Sequence, residues 1–191
     1  SSRTIFSGTA IRTVSSTNLN EVNASALQWT QNIADSGFTH SNTANSHNIT
    51  LDAAGAYLIF ANLPIKSNTG RTSPQMQIKL NGTQVTGGFA SQGYIRGAEA
   101  TNKSSIHWVG LVQSASTNQV LTIEMSKRAE AGTVDVQTNE KGSIFIEKLA
   151  NTNNLFSATA TQLISGDNWN TGSDLRCICG RAFHFSACLS L

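Results

Sequence analysis

The chain is expected to fold as an all-β sandwich, and two observations carry that expectation. Five short apolar runs recur along it: NITLDAAGAYLIFANLP (48–64), MQIKLNGTQV (76–85), SSIHWVGLVQ (104–113), QVLTIEMSK (119–127) and GSIFIEKL (142–149). Each either alternates apolar with polar residues or is continuously β-branched and aromatic, and clusters of Gly, Asn, Ser and Thr separate them, which is the pattern of short strands joined by turns.

A length of 191 residues fits one well-buried core domain, expected over 1–150, with a linker and extension over 151–191. Charged residues make up 13% of the chain and the net charge is +2, so neither nucleic acid nor an anionic membrane is implied as a partner. Solubility must come from Asn, Ser, Thr, Gln and Gly, a composition suited to loops and exposed strand faces on extracellular and virion surfaces. No run approaches the about eighteen apolar residues that cross a bilayer. The first residues, SSRTIFSGTA, lack an initiator Met and a signal-type apolar segment, so the start is expected to be a processing site or a fragment boundary. Cys177, Cys179 and Cys188 all lie near the end, which leaves the sandwich without disulfides and at least one thiol free, metal-bound or paired between chains. Sequons stand at Asn23, Asn48, Asn81 and Asn102.

Taken in order, TIFSGTAIRTV (4–14) alternates and reads as a first strand, followed by a polar loop. ALQWTQNIAD (26–35) reads as a strand, and 37–48 as a loop. In AGAYLIFANLPI, Tyr57, Ile59 and Ala61 face one way and Leu58, Phe60 and Asn62 the other, so this strand is covered on both sides. Pro64, with no N–H to donate, is expected to end regular pairing. Met76, Ile78 and Leu80 point inward, and Asn81-Gly82 then marks a type I′ hairpin, which needs positive φ at both central residues. The stretch from Gly87 to Ser104 interleaves Gly with Phe89, Tyr94 and Arg96 and reads as a bulged edge strand or an exposed recognition loop. SSIHWVGLVQ again has two apolar faces, Ile106, Trp108 and Val112 against Val109 and Leu111, and one small core cannot cover both, so the second face is expected to meet another subunit. Leu121, Ile123 and Met125 point inward, Val134 and Val136 lie on a short strand, and GSIFIEKL closes the domain.

After the polar ANTNN, the segment LFSATATQLISGDNWN (155–170) restates IFSGTAIRTVSSTNLN (5–20) at a constant offset, with Phe6, Ser7, Thr9, Ala10 and Asn20 recurring. A period close to the size of the sandwich means that a second repeat begins here and is truncated. The extension is expected to pack on the first domain, a neighbouring chain or a larger assembly.

The run ITLDAAGAYLIFANLPI, followed by MQIKLNGTQV, VLTIEM and GSIFIEKL, resembles the globular-head family of complement first-component q within the tumour necrosis factor superfamily. The matching positions are Gly55, Tyr57 with Phe60 displaced by one, Asn81-Gly82, and Phe145 with Leu149, over roughly residues 38 to 149. The family's usual Gly-Asp pair before the strand at Val120 is replaced by Thr117-Asn118-Gln119, so no calcium or charge-based ligand site is carried over. The resemblance implies a jelly-roll sandwich of two antiparallel sheets and a tight homotrimer with aromatic residues around the threefold axis. Tandem copies on polar linkers are similar to those on virion surface and fibre proteins of bacteriophages.

Nothing in the chain has the pattern of a catalytic site: G-x-S-x-G, H-E-x-x-H and nucleotide-binding glycine loops are all missing, and no enzyme activity or cofactor is expected. His40 and His47 read as solvated loop histidines, and His107 as packed or interfacial. Cys177, Cys179, His184 and Cys188 resemble a zinc knuckle in type, with Arg176, Arg181, Phe183 and Phe185 between or beside them. Both outer spacings are one residue short of that motif, so the favoured reading is an apolar strand with buried cysteines and no metal. Phe89, Tyr94 and Arg96 are candidates for a receptor or glycan contact. Tyr57, Trp108, Val109, Leu111 and Phe145 are candidates for the subunit interface. The function expected is a non-enzymatic trimeric module on a virion surface, capsid decoration or fibre, binding neighbours such as a major capsid protein and a host surface. The alternative is a secreted lectin-like or adhesive trimer.

Overall fold

The computed structural model describes residues 3–12, 18–33, 36–67, 69–91, 93–97, 101–136 and 142–150, with backbone alone for 3–12 and 136. Among them there are strands, turns and loops and no helix. The strands are β1 (Arg3–Arg12), β2 (Ser25–Ile33), β3 (Phe38–Thr39), β4 (Ile49–Leu51), β5 (Gly55–Ser67) and β6 (Ser73–Leu80). They continue with β7 (Thr83–Ala90), β8 (Lys103–Ser114), β9 (Gln119–Ala129), β10 (Val134–Val136) and β11 (Gly142–Lys148). All pairings are antiparallel. One sheet runs β8-β5-β11-β1-β2, with β10 in line with β11 along the far end of β5. The other runs β7-β6-β9, and the opposite edge of β9 carries β4, itself paired with β3, and then the start of β2. β2 therefore belongs to both sheets, pairing first with β9 and then with β1.

The core fills the space between the sheets, and it is built by alternation. On β5, Tyr57, Ile59, Ala61, Leu63 and Ile65 are all buried; on β6, Met76 and Ile78; on β9, Leu121, Ile123 and Met125; on β11, Ile144 and Ile146. Each fully buried Leu or Ile contributes about 1.5–3 kcal/mol relative to exposure. Phe38 meets Tyr57 edge-on, ring centroids 5.8 Å apart, and the Tyr57 hydroxyl donates to the Ala53 carbonyl at 2.7 Å, so the phenol is buried with its polar tip satisfied. The hairpin between β6 and β7 turns at Asn81 and Gly82, with φ of 49° and 78°, as type I′ geometry requires.

Two expectations are corrected. Pro64 does not end pairing: it lies inside β5, opposite Ser105 of β8. On its other side the partner changes from β11 (up to Asn62) to β10 (from Ile65), and among the described residues none pairs with Pro64 there. His40 is not a free loop histidine: Nδ1 lies 2.8 Å from the Asn48 carbonyl oxygen and Nε2 3.2 Å from that of Trp29, so the ring ties the 37–48 connection to β2.

Candidate subunit interface

β8, β5 and β11 each carry apolar residues on both faces, and only one face can line the core. The register stacks the other set into cross-strand rows on the outside of the sheet. Val109, Phe60 and Phe145 form one row; Leu111, Leu58 and Glu147 the row on one side; His107, Asn62 and Ser143 the row on the other. Farther along stands a charged row of Lys103, Lys66 and Asp135. The Phe60 and Phe145 rings pack edge-on at 5.9 Å and form one wall of a shallow depression of about 430 Å³ that also touches His107, Asn62 and Val109. Val109 is 59% exposed and Phe60 47%, so large apolar groups in the middle of a sheet face water, with Glu147 at one side of them and polar and charged rows toward the other end. An apolar centre with a polar rim is the anatomy of a protein–protein contact.

The row extends farther than the sequence suggests. Phe145 pairs with Ile5 of β1, and Ile5 with Ile33 of β2, which is 54% exposed. Alternation from Leu27 and Trp29 would turn Ile33 inward. The register between β1 and β2 shifts at this point, Phe6 facing Gln31 and Ile5 facing Ile33, and the extra residue flips Ile33 to the outer face. Nothing in the hydropathy of ALQWTQNIAD announces that bulge.

Of the residues expected at a subunit contact, Val109, Leu111 and Phe145 are on this outer face. Tyr57 is not: it is wholly buried in the core and has no surface to offer a partner. Trp108 is also corrected, because it lies on the inner side of β8, packs partly buried against the core, and donates its indole N–H to the Gly87 carbonyl of β7 at 2.8 Å. It closes the open edge between the two sheets.

The three candidates for receptor or glycan contact are exposed on two elements. Phe89 stands on edge strand β7 opposite Gln77. Tyr94 and Arg96 flank buried Ile95, whose backbone exchanges two 3.0 Å hydrogen bonds with Thr72. Gly93 packs so closely on Ile106 that an added Cβ would come within 2.5 Å of it, so this segment is fastened to the sandwich instead of standing off it. Of the two anticipated forms, the bulged edge strand is present in β7, whose pairing with β6 shifts register between Gln77 and Lys79. No cluster of His, Cys, Asp and Glu able to hold a metal occurs among the described residues, and Cys177, Cys179, His184 and Cys188 lie outside them.

No protein-family model matches the chain, and no curated protein is similar to it in sequence. Among solved structures it is similar to Eiger TNF from S. frugiperda, at 12% identity and a TM-score of 0.51, over 82% of this chain and 98% of that one. It is also similar to murine APRIL crystallised at pH 8.5, at 11% identity and a TM-score of 0.49, over 77% of this chain and 99% of that one. The fold is a tumour necrosis factor-like jelly roll. This is the architecture that the resemblance in sequence implied, reached with little sequence in common. It names the fold and leaves the function to be argued from the surface.

Proposed function

We propose that this chain is a non-enzymatic structural and binding module that assembles as a homotrimer through the outer face of the β8-β5-β11 sheet. The observation that carries the proposal is the continuous row Val109, Phe60, Phe145, with Ile33 exposed at its far end. Apolar area removed from water contributes about 25 cal/mol per Å², and a stable contact buries on the order of 800 Å² per partner. A row of this kind on each of three copies can meet around one axis. The trimer then decorates a larger assembly, a virion surface or fibre, touching neighbouring virion proteins and, through Phe89, Tyr94 and Arg96, a host surface. The low charge, the polar uncharged surface and the second repeat that starts at Leu155 support that setting.

The mass of the full chain in solution tests the assembly: light scattering is expected to give three times 20.3 kDa, and a monomer at micromolar concentration would refute it. Copurification with capsids tests the setting. The second reading, a secreted lectin-like or adhesive trimer, is favoured if sugars occupy Asn23 and Asn81, the two sequon asparagines whose side chains are exposed.

A further inference from the structure

β7 does not alternate along its whole length, and the break aims one ring outward. Gln84 pairs with Lys79 and Phe89 with Gln77, so β7 takes five residues to cover what β6 covers in two. The extra three form a bulge, and an odd number turns the chain over. Without it Phe89 would share the inner face with Val85; with it Phe89 stands on the outer face, 42% exposed, while Ala90 opposite Met76 is buried. Neighbours hold the bulge in place. Gly87 has a φ of 70°, the Trp108 indole N–H donates to its carbonyl at 2.8 Å, and a Cβ on buried Gly88 would come within 2.8 Å of the Ile78 carbonyl. Around the ring, the outer face of β7, β6 and β9 is polar and without net charge. Gln77 lies between Phe89 and Glu124, and Lys79 between Gln84 and Thr122. Lys79 Nζ donates to Glu124 Oε2 at 2.6 Å, so the two charges in these rows cancel. The side-chain amides of Gln77 and Gln84 have no hydrogen-bond partner among the described residues. We propose that this face binds a neutral sugar, an uncharged hexose or hexosamine unit, with the C–H face of the sugar on Phe89 and its hydroxyls on Gln77, Gln84 and Glu124.

A sugar ring presents C–H groups on its face and hydroxyls around its rim, and each hydroxyl both donates and accepts. An aromatic ring, apolar and electron-rich over its face, suits the first; a primary amide, with two donors and two lone pairs, suits the second. The spacing fits a ligand of one or two such rings. Neighbouring strands lie about 4.8 Å apart, so Phe89, Gln77 and Glu124 span roughly 10 Å across three strands. Charge then decides the class of sugar. The Glu124 carboxylate in this row repels a sialylated or sulfated unit and accepts from a neutral one, while Lys79 is already engaged and Arg128, farther along β9, donates to Ser91 Oγ at 3.3 Å. A ring preset by its own bulge loses little freedom when a ligand arrives. The inference rests on the reading of Phe89 as a host contact and not on the trimer. It leaves Tyr94 and Arg96 outside the sugar site, because they flank Ile95 at its bridge to Thr72, which is five residues along the chain from Gln77 and about 16 Å away at about 3.3 Å per residue.

Saturation-transfer NMR on the full chain with free, monovalent oligosaccharides reads binding per chain, whatever the oligomeric state. The neutral probes are mannobiose, lactose and diacetylchitobiose; sialyllactose and a sulfated heparin disaccharide are the charged ones. Transfer to the C–H protons of at least one neutral probe is expected, and none to the charged ones. Phe89→Ala and Gln77→Ala are each expected to weaken that binding by about tenfold, the loss of one stacked or hydrogen-bonded contact. Phe89→Trp keeps a flat ring and is expected to bind at least as tightly as wild type, which separates stacking from damage to the edge strand. Transfer to no neutral probe, transfer to the charged probes alone, or a Phe89→Trp chain that binds as weakly as Phe89→Ala overturns the proposal. Binding that is lost in the Tyr94→Ala, Arg96→Ala double variant and kept in Phe89→Ala and Gln77→Ala overturns this site while leaving a host contact elsewhere on the same end. A chain that is monomeric by light scattering yet shows the expected pattern sinks the trimer and leaves the sugar site standing.

Discussion

Burial pushes the Tyr57 phenol pKa above its ordinary value, and nearby Asp52 adds to it. The folded chain therefore keeps this proton to higher pH than the unfolded chain, whose phenol ionises near about 10. Below that pH both states hold the proton and the group is silent. Above it the unfolded state binds fewer protons, so stability falls as pH rises. Tyr57→Phe removes the titration and is expected to show a shallower loss of urea midpoint above about pH 10, while losing about 1 kcal/mol at neutral pH with the Ala53 hydrogen bond. Parallel loss in both proteins would assign the alkaline transition to another group. At the centre of the second sheet, Ile123 is fully buried opposite Ile78, and Ile123→Ala is expected to cost about 2–5 kcal/mol in denaturant unfolding. A cost below about 1 kcal/mol would mean that the two sheets do not pack tightly there.

At the scale of elements, the hairpin at Asn81-Gly82 was legible because its chemistry is local. Asn81 has positive φ, and its side-chain oxygen also accepts the Val120 N–H at 2.8 Å, tying the turn to the start of β9. Asn81→Ala loses that bond and places a Cβ residue without a polar side chain in the left-handed region. The expected cost is about 1–3 kcal/mol in urea unfolding, with Asn81→Gly recovering part of it, and equal loss in both would remove the backbone share of the argument. The alternating faces of β5, β6, β8, β9 and β11 were legible for the same local reason. What alternation could not give was the choice between two apolar faces on one strand: Tyr57 and Trp108 look as suited to a partner as Val109 and Phe145 until the second sheet is in place. Ile33 was lost to a bulge, and the place of Pro64 depends on where β11 gives way to β10; both are set by neighbours distant in sequence.

For the whole molecule, a sandwich with so little charge and an exposed aromatic row must either associate or tolerate water on Val109 and Phe60. Association driven by apolar burial is weakly dependent on salt, whereas one held by surface ion pairs dissociates as salt screens them. Val109→Asp separates these cases, since Val109 is more than half exposed in the single chain and an Asp there costs the fold little. In a trimer the same change places three ionised carboxylates in an apolar seam, each costing several kcal/mol to desolvate, so the association constant is expected to fall by on the order of a hundredfold or more. Val22→Asp, at an exposed site outside that row, is the matched control and is expected to leave the mass unchanged. Light scattering at several concentrations and at low and high salt reads the outcome. A Val109→Asp protein that still runs as a trimer at micromolar concentration would move the contact off this face, and the aromatic row would then need another partner.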